Sequence, residues 1–255
     1  MKKYLPLFYA FNALLLATSP SFAATNPFGP AAPAPASINI YDWYNLGEMT
    51  GAASQVIFNY NIYEQMDDTY KQIYDLMVKT QVGDTTINAF KQWYPVLRAL
   101  PWDKNYQTWT KEQQTAWEKS PLEAAWFKGL HDDAGKSPEA EFFYWLGYHS
   151  ILVAWAVPIY QSNNWNDAVT SLIGSTAQDF LFFASDSSFT GIFAALTPDV
   201  QNAMTLIGSA KKKVTPSTNP FEKGGQTGLT PDDVTKIIDA AKAIRAAAQA
   251  NQLTK

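Results

Sequence analysis

The longest unbroken apolar pattern in this chain runs from Phe142 to Asn166, where 25 residues pass without an Asp, Glu, Lys or Arg. Its apolar residues do not form one stripe. Phe142, Phe143, Leu146, Val153 and Val157 share one side of a helix, and Trp145, Leu152, Trp155 and Ile159 share another. A helix that is apolar all round is either the centre of a protein or a membrane span. Ser137 supplies an N-cap, Pro138 suits the first helical position, and Glu139 and Glu141 suit the positive end of the helix dipole. The pattern predicts a central helix over 138–161. Tyr144, Tyr148, His149, Ser150 and Pro158 interrupt it with polar or helix-breaking character, and Asp179 interrupts the next apolar segment. Spans are usually richer in Leu, Ile and Val, so no stable membrane span is expected in the mature protein.

Elsewhere the apolar residues recur at three- and four-residue steps. Val56, Tyr60, Tyr63, Tyr70, Ile73 and Met77 predict a long helix over 52–82, stopped at Gly83. A second helix is expected over 85–100, bent or ended near Pro95. Gly47 and Gly51 mark a turn or close packing upstream. Helix starts then follow one another. Ser120-Pro121-Leu122-Glu123 and Thr110-Lys111-Glu112-Gln113 are capping boxes, and Ser137-Pro138, Thr197-Pro198 and Thr230-Pro231-Asp232-Asp233 are variants. No segment sustains strand alternation, and no Asn-Gly or Asp-Gly hairpin turn occurs. The expected fold is all-α, a multi-helix orthogonal or bundle-like domain around the central helix. It spans 38–213, with further helices over 167–184 and 198–213.

A linker-like stretch, 214–229, is rich in Gly, Pro, Ser and Thr and is expected to hold no fixed structure. Beyond it, 230–255 carries a C-terminal amphipathic helix. Val234, Ile237, Ile238 and Ile244 lie on its apolar face and are candidate interaction residues. A helix of this length is marginal alone in water, so the stripe should dock weakly on the body or on a partner. Phe221 is a further candidate contact, because Thr218-Asn219-Pro220-Phe221 repeats Thr25-Asn26-Pro27-Phe28. Two ordinary Asn-Pro turns account for that repeat as well.

The chain start changes the picture of where the protein works. Lys2 and Lys3 precede the apolar run 5–17, and Ser21-Phe22-Ala23 is a small-x-small cleavage site. Residues 1–23 therefore read as a secretory signal peptide, cleaved after Ala23. A Pro/Ala-rich leader, 24–37, follows. Loss of Lys2 and Lys3 takes the formal charge from −4 to −6. That balance argues against nucleic acid as a partner. No cysteine is present, so disulfides, lipidated-Cys anchors and Cys metal sites are excluded. A bacterial periplasmic or secreted location is expected.

Candidate chemistry is sparse. Glu141, Tyr144, Trp145, Tyr148 and His149 stack along the central helix as a candidate pocket, with His149 as a possible general base. A catalytic base normally needs an orienting acid and a nucleophile nearby, and a buried histidine bonded to a hydroxyl or carbonyl is the simpler reading. His131-Asp132-Asp133 has the look of a His-Asp metal motif, but His149 is the one other histidine. A polar C-terminal helix turn explains it better. Glu64, Asp67, Asp68 and Lys71 make an acidic strip, read as a solvated helix face. No nucleophile elbow, dinucleotide fingerprint, phosphate loop or zinc-protease motif occurs, and no metal or cofactor is expected. The expected function is that of a non-enzymatic helical binding or adaptor protein with a protein partner, accessory to a secretion or envelope assembly. The alternatives are a hydrolase without a readable motif, using His149 or His131, and a membrane-inserting helical protein.

Overall fold

The computed structural model describes residues 38–53, 66–101, 108–118, 121–162, 164, 166–215 and 226–255. The signal peptide, the leader, Glu64, the Ser120 cap and Phe221 lie outside the described residues. The fold is all-α around a central apolar helix, as the sequence pattern predicts. In chain order the helices are α1 (Ile40–Ala53), α2 (Met66–Lys79), α3 (Asp84–Arg98), α4 (Lys111–Glu118) and α5 (Pro121–Ala134). The central element follows as α6 (Pro138–Ile151), a π turn (Leu152–Ala156) and α7 (Val157–Ser162). Then come α8 (Asn166–Ser185), α9 (Thr190–Ala195), α10 (Pro198–Ser209) and α11 (Pro231–Gln249).

The central helix starts where its cap residues place it, with the Ser137 side chain accepting from Ala140 N. Phe142, Tyr144, Leu146, Val153, Val157 and Tyr160 are fully covered. Pro158 lacks the N–H that would bond back one turn, and its ring crowds the carbonyl there. The π turn over Leu152–Ala156 lies just ahead of it. The wider turn gives the chain room to pass the proline without ending the helix.

α1 was not foreseen as a helix, and its glycines are the reason. Gly47 and Gly51 sit inside it, where glycine disfavours a helix. Their use is tertiary. A Cβ on Gly47 would lie 1.8 Å from the Tyr144 carbonyl oxygen, and one on Gly147 would lie 2.0 Å from that of Tyr44. The two helices therefore cross in near backbone contact, each lending a glycine to the other. Asn39 starts α1, its side chain accepting from Tyr41 N at 3.1 Å.

The helix expected over 52–82 is only partly comparable, since 54–65 lies outside the described residues. Its second half is α2, which stops before Gly83. Gln81 takes the left-handed conformation at φ 58°, and Val82 N donates back to Met77 O at 2.9 Å. Gly83 instead opens α3. α3 runs through Pro95 to Arg98 rather than ending at the proline. An aromatic cluster of Tyr70, Phe90, Trp93 and Trp126 joins α2, α3 and α5.

The C-terminal helix takes the first of its two expected dockings, on the protein's own body. The Thr230 capping box is formed, with Asp233 N donating to Thr230 Oγ1 at 3.1 Å and Thr230 N to Asp233 Oδ2 at 2.9 Å. The stripe of α11 then packs against α10 and the central helix. Val234, Ile237, Ile238 and Ile244 are all buried by the protein's own body. Arg245 Nη2 reaches Glu48 Oε1 of α1 at 2.7 Å. The last residues add backbone bonds, Thr197 N to Leu253 O and Lys255 N to Ala195 O, both at 3.0 Å. The buried stripe of this helix is part of the common core. The physical reason is that an Ala-rich face permits close approach along its whole length, and a largely buried ion pair then fixes its register. The linker is not structureless at its ends either: Val214–Thr215 pairs antiparallel with Gln226–Thr227. Residues 216–225 lie outside the described residues.

Candidate functional site

His149 sits on the inner face of the central helix, opposite α8. Its Nδ1 lies 3.2 Å from Thr176 Oγ1, and its Nε2 lies 2.7 Å from Asp179 Oδ2. The Asp179 contact lacks the geometry of a hydrogen bond, so the carboxylate stands beside the ring without an in-line bond to it. Thr176 and Asp179 are three residues apart, which places both on one face of α8. Trp145 stacks on the imidazole with centroids 5.5 Å apart, and Tyr148 and Phe180 present edges to it. An acid and a hydroxyl thus flank the histidine, as a hydrolase would require. The geometry is nevertheless closed: Thr176 is fully buried and His149 Nε2 is covered, so neither meets solvent. The arrangement can hold α6 to α8. It has no room for a substrate between hydroxyl and ring.

The other expected pocket residues lie around this point without forming a cavity. Tyr144 is fully buried against Gly47 and α1, and burial pushes its hydroxyl well above the usual tyrosine range. Tyr148 is buried on the α5 side, its ring 6.2 Å from that of Phe127. Trp145 is half-buried between the two histidines of the chain. Glu141 stands two turns from His149, and burial, then the charge of Asp186, raises its carboxyl above the ordinary value.

His131 does not gather ligands. Its ring packs among Phe127, Tyr144 and Trp145, the last at 4.5 Å. Burial lowers its pKa to about 4, so it is neutral at pH 7. Asp133 points the other way, accepting from Gly83 N at 2.9 Å and Thr86 Oγ1 at 3.0 Å. Burial alone would raise that carboxyl; Lys136, Gly83 and Thr86 outweigh it and hold it below the ordinary value. In the acidic strip, Asp67 is held low by Tyr94 and Arg98, and Lys71 pairs with Asp75. Among the described residues no three His, Asp or Glu side chains converge as metal ligands.

Two features were not legible in the sequence. One is a buried polar cluster of Tyr44, Glu48, Ser150 and Arg245, drawn from α1, the central helix and α11. Burial, then the charge of Glu48, pushes the Tyr44 hydroxyl far up. The other is an open surface groove of about 570 Å3 where α2 meets α3, lined by Tyr74, Val78, Gln81, Ile87, Asn88 and Lys91. Lys91 Nζ stands 5.0 Å above the Tyr74 ring. Neither feature has a local signal, because each joins residues distant in sequence or exposed on separate helix faces. No protein-family model, no curated protein and no solved structure matches this chain.

Proposed function

We propose that this chain is an exported, non-enzymatic helical binding or adaptor protein of a bacterial periplasm, accessory to a secretion or envelope assembly. The observation that carries this reading is the use made of His149. The best catalytic candidate in the chain is spent on internal contacts to Thr176 and Asp179 with both ring nitrogens covered. Export is supported by the basic, apolar and small-x-small order of residues 1–23. The Tyr74–Lys91 groove, with Val78 half exposed beside it, offers a surface for a protein contact.

A second reading is favoured by one observation. Pro138–Ser162 is long and apolar enough to cross a membrane, with a mean hydropathy of 1.3 over its most apolar window. Most of that window is buried inside the protein, which favours a core helix. Fractionation of bacteria expressing the full chain separates the two. Release by osmotic shock, with Ala24 as the first residue and a partner co-purifying from the native envelope in fixed ratio, is the expected result. Recovery only with detergent would replace the binding reading with membrane insertion. A first residue before 20 would overturn the signal peptide.

A further inference from the structure

We propose that the seam between α5 and the central helix is an acid-opened latch, with His131 the group whose protonation releases it. The geometry of the seam is one of aromatic rings. His131 meets Tyr144 at 6.2 Å and Trp145 at 4.5 Å, and Phe127 meets Tyr148 at 6.2 Å. The His131 Nε2 is buried there with no hydrogen-bond partner among the described residues. A neutral ring fits such a place. A cation in it is surrounded by aromatic rings, and its nearby carboxylate Asp132 is offset by Lys128, so it costs far more than the same cation in water.

The charged groups around His131 do not rescue it. Asp132 and Lys128, on its own helix, act in opposite directions and are themselves paired. Asp133 is turned toward Gly83, Thr86 and Lys136. From the central helix the titratable neighbours are Tyr144 and, beyond Trp145, His149. His149 differs in kind, because the Asp179 carboxylate of α8 stands 2.7 Å from its Nε2. One tryptophan thus touches two histidines, of which one has a carboxylate 2.7 Å from its ring and the other has only Asp132, already paired with Lys128. Acidification should strain the α5 side of Trp145 and spare the α8 side.

The rest of the architecture lets α5 leave the seam without unfolding. Trp126 packs on Phe90 at 5.2 Å and Trp93 at 5.0 Å, and Asp133 ties the end of α5 to the start of α3. α5 is therefore held on α3 independently of His131. Gly135 and Lys136 form the short turn into α6 and can act as the pivot. What opening exposes is the face of Tyr144, Trp145 and Tyr148.

The test is amide hydrogen exchange by mass spectrometry between pH 7.5 and 4, corrected for intrinsic rates. It uses the full mature chain and His131→Phe, which keeps the ring and removes the proton site. In the wild type, protection in peptides from 125–134 and 142–149 should fall as pH drops below the ring's ordinary value of 6.5 toward about 4. The gap between those values sets a ceiling of roughly 300-fold. Peptides around Thr176–Phe180 should keep their protection, and His131→Phe should abolish the fall. A wild-type seam with constant protection overturns the latch. So does an equal fall in His131→Phe, or a fall shared by α8. If His131→Phe does not fold, proton NMR titration of the wild-type ring decides: a midpoint near 6.5 refutes the latch, and one well below it with seam opening supports it.

Discussion

Gly147→Ala should separate the two central helices. In the structure, a Cβ at position 147 would lie 2.0 Å from Tyr44 O and 3.0 Å from Glu48 N. An ordinary carbon–oxygen contact needs about 3.3 Å or more. The obstacle is backbone in the middle of a helix, so it cannot turn aside as a side chain would. Relief requires α1 to retreat by roughly 1 Å along that contact. A gap of that size forfeits about a quarter to a half of the dispersion attraction of the atoms it separates. It also pulls Glu48 from Arg245. Overpacking of this kind costs roughly 1–3 kcal/mol and occasionally more. Against it stands the gain of roughly 1 kcal/mol from alanine over glycine in a helix. A net loss of about 2 kcal/mol is expected, from the upper end of that range because two backbones collide. Gly191→Ala is the matched control, since a Cβ there would meet nothing within 4 Å. It should be neutral or stabilising by up to about 1 kcal/mol. Urea unfolding followed by far-UV circular dichroism reads both. The Gly147→Ala midpoint should fall by roughly 1 M with the slope preserved. A Gly147→Ala protein within about 0.5 kcal/mol of wild type would refute the close crossing.

Two further outcomes follow from buried charge. Arg245→Met should cost about 3–5 kcal/mol, because it strands Glu48, whose side chain is 9% exposed; adding Glu48→Gln should recover part of that loss in a double-mutant cycle. Glu141→Gln should raise the melting temperature at pH 7. Burial and Asp186 raise the folded-state pKa of Glu141 above 4.5, so its charged form opposes folding above that folded value and the penalty is relieved as pH falls through it. The two proteins should converge below pH 4.5, and an advantage that persists there would count against the assignment.

Much of the fold was legible because it rests on local rules. Capping residues placed the starts of α4, α6 and α11, and the charge-free run marked the central helix. Such signals act within one turn and need no partner. The signals failed where one residue served two neighbours. Gly47 reads as a turn or as close packing, and the structure shows close packing inside a helix, since the alanine-for-glycine penalty is local and the crossing it permits is not. Gly83 looked like a stop and is the start of α3, because Gln81 adopts the left-handed conformation first. For the site, the sequence put His149 among aromatics on the central helix, but Thr176 and Asp179 come from a helix whose facing only packing fixes.

By itself the sequence determined the helical class, the central element and the amphipathic face of α11. Period and capping are properties of a single segment, and they survive whatever that segment packs against. The tertiary structure decided that α11 docks on its own body and that His149 is sealed. It also decided that Trp145 stands between a histidine with a carboxylate 2.7 Å from its ring and one packed among aromatic rings. Those outcomes depend on distances between segments, and burial sets their energies only once the segments have met.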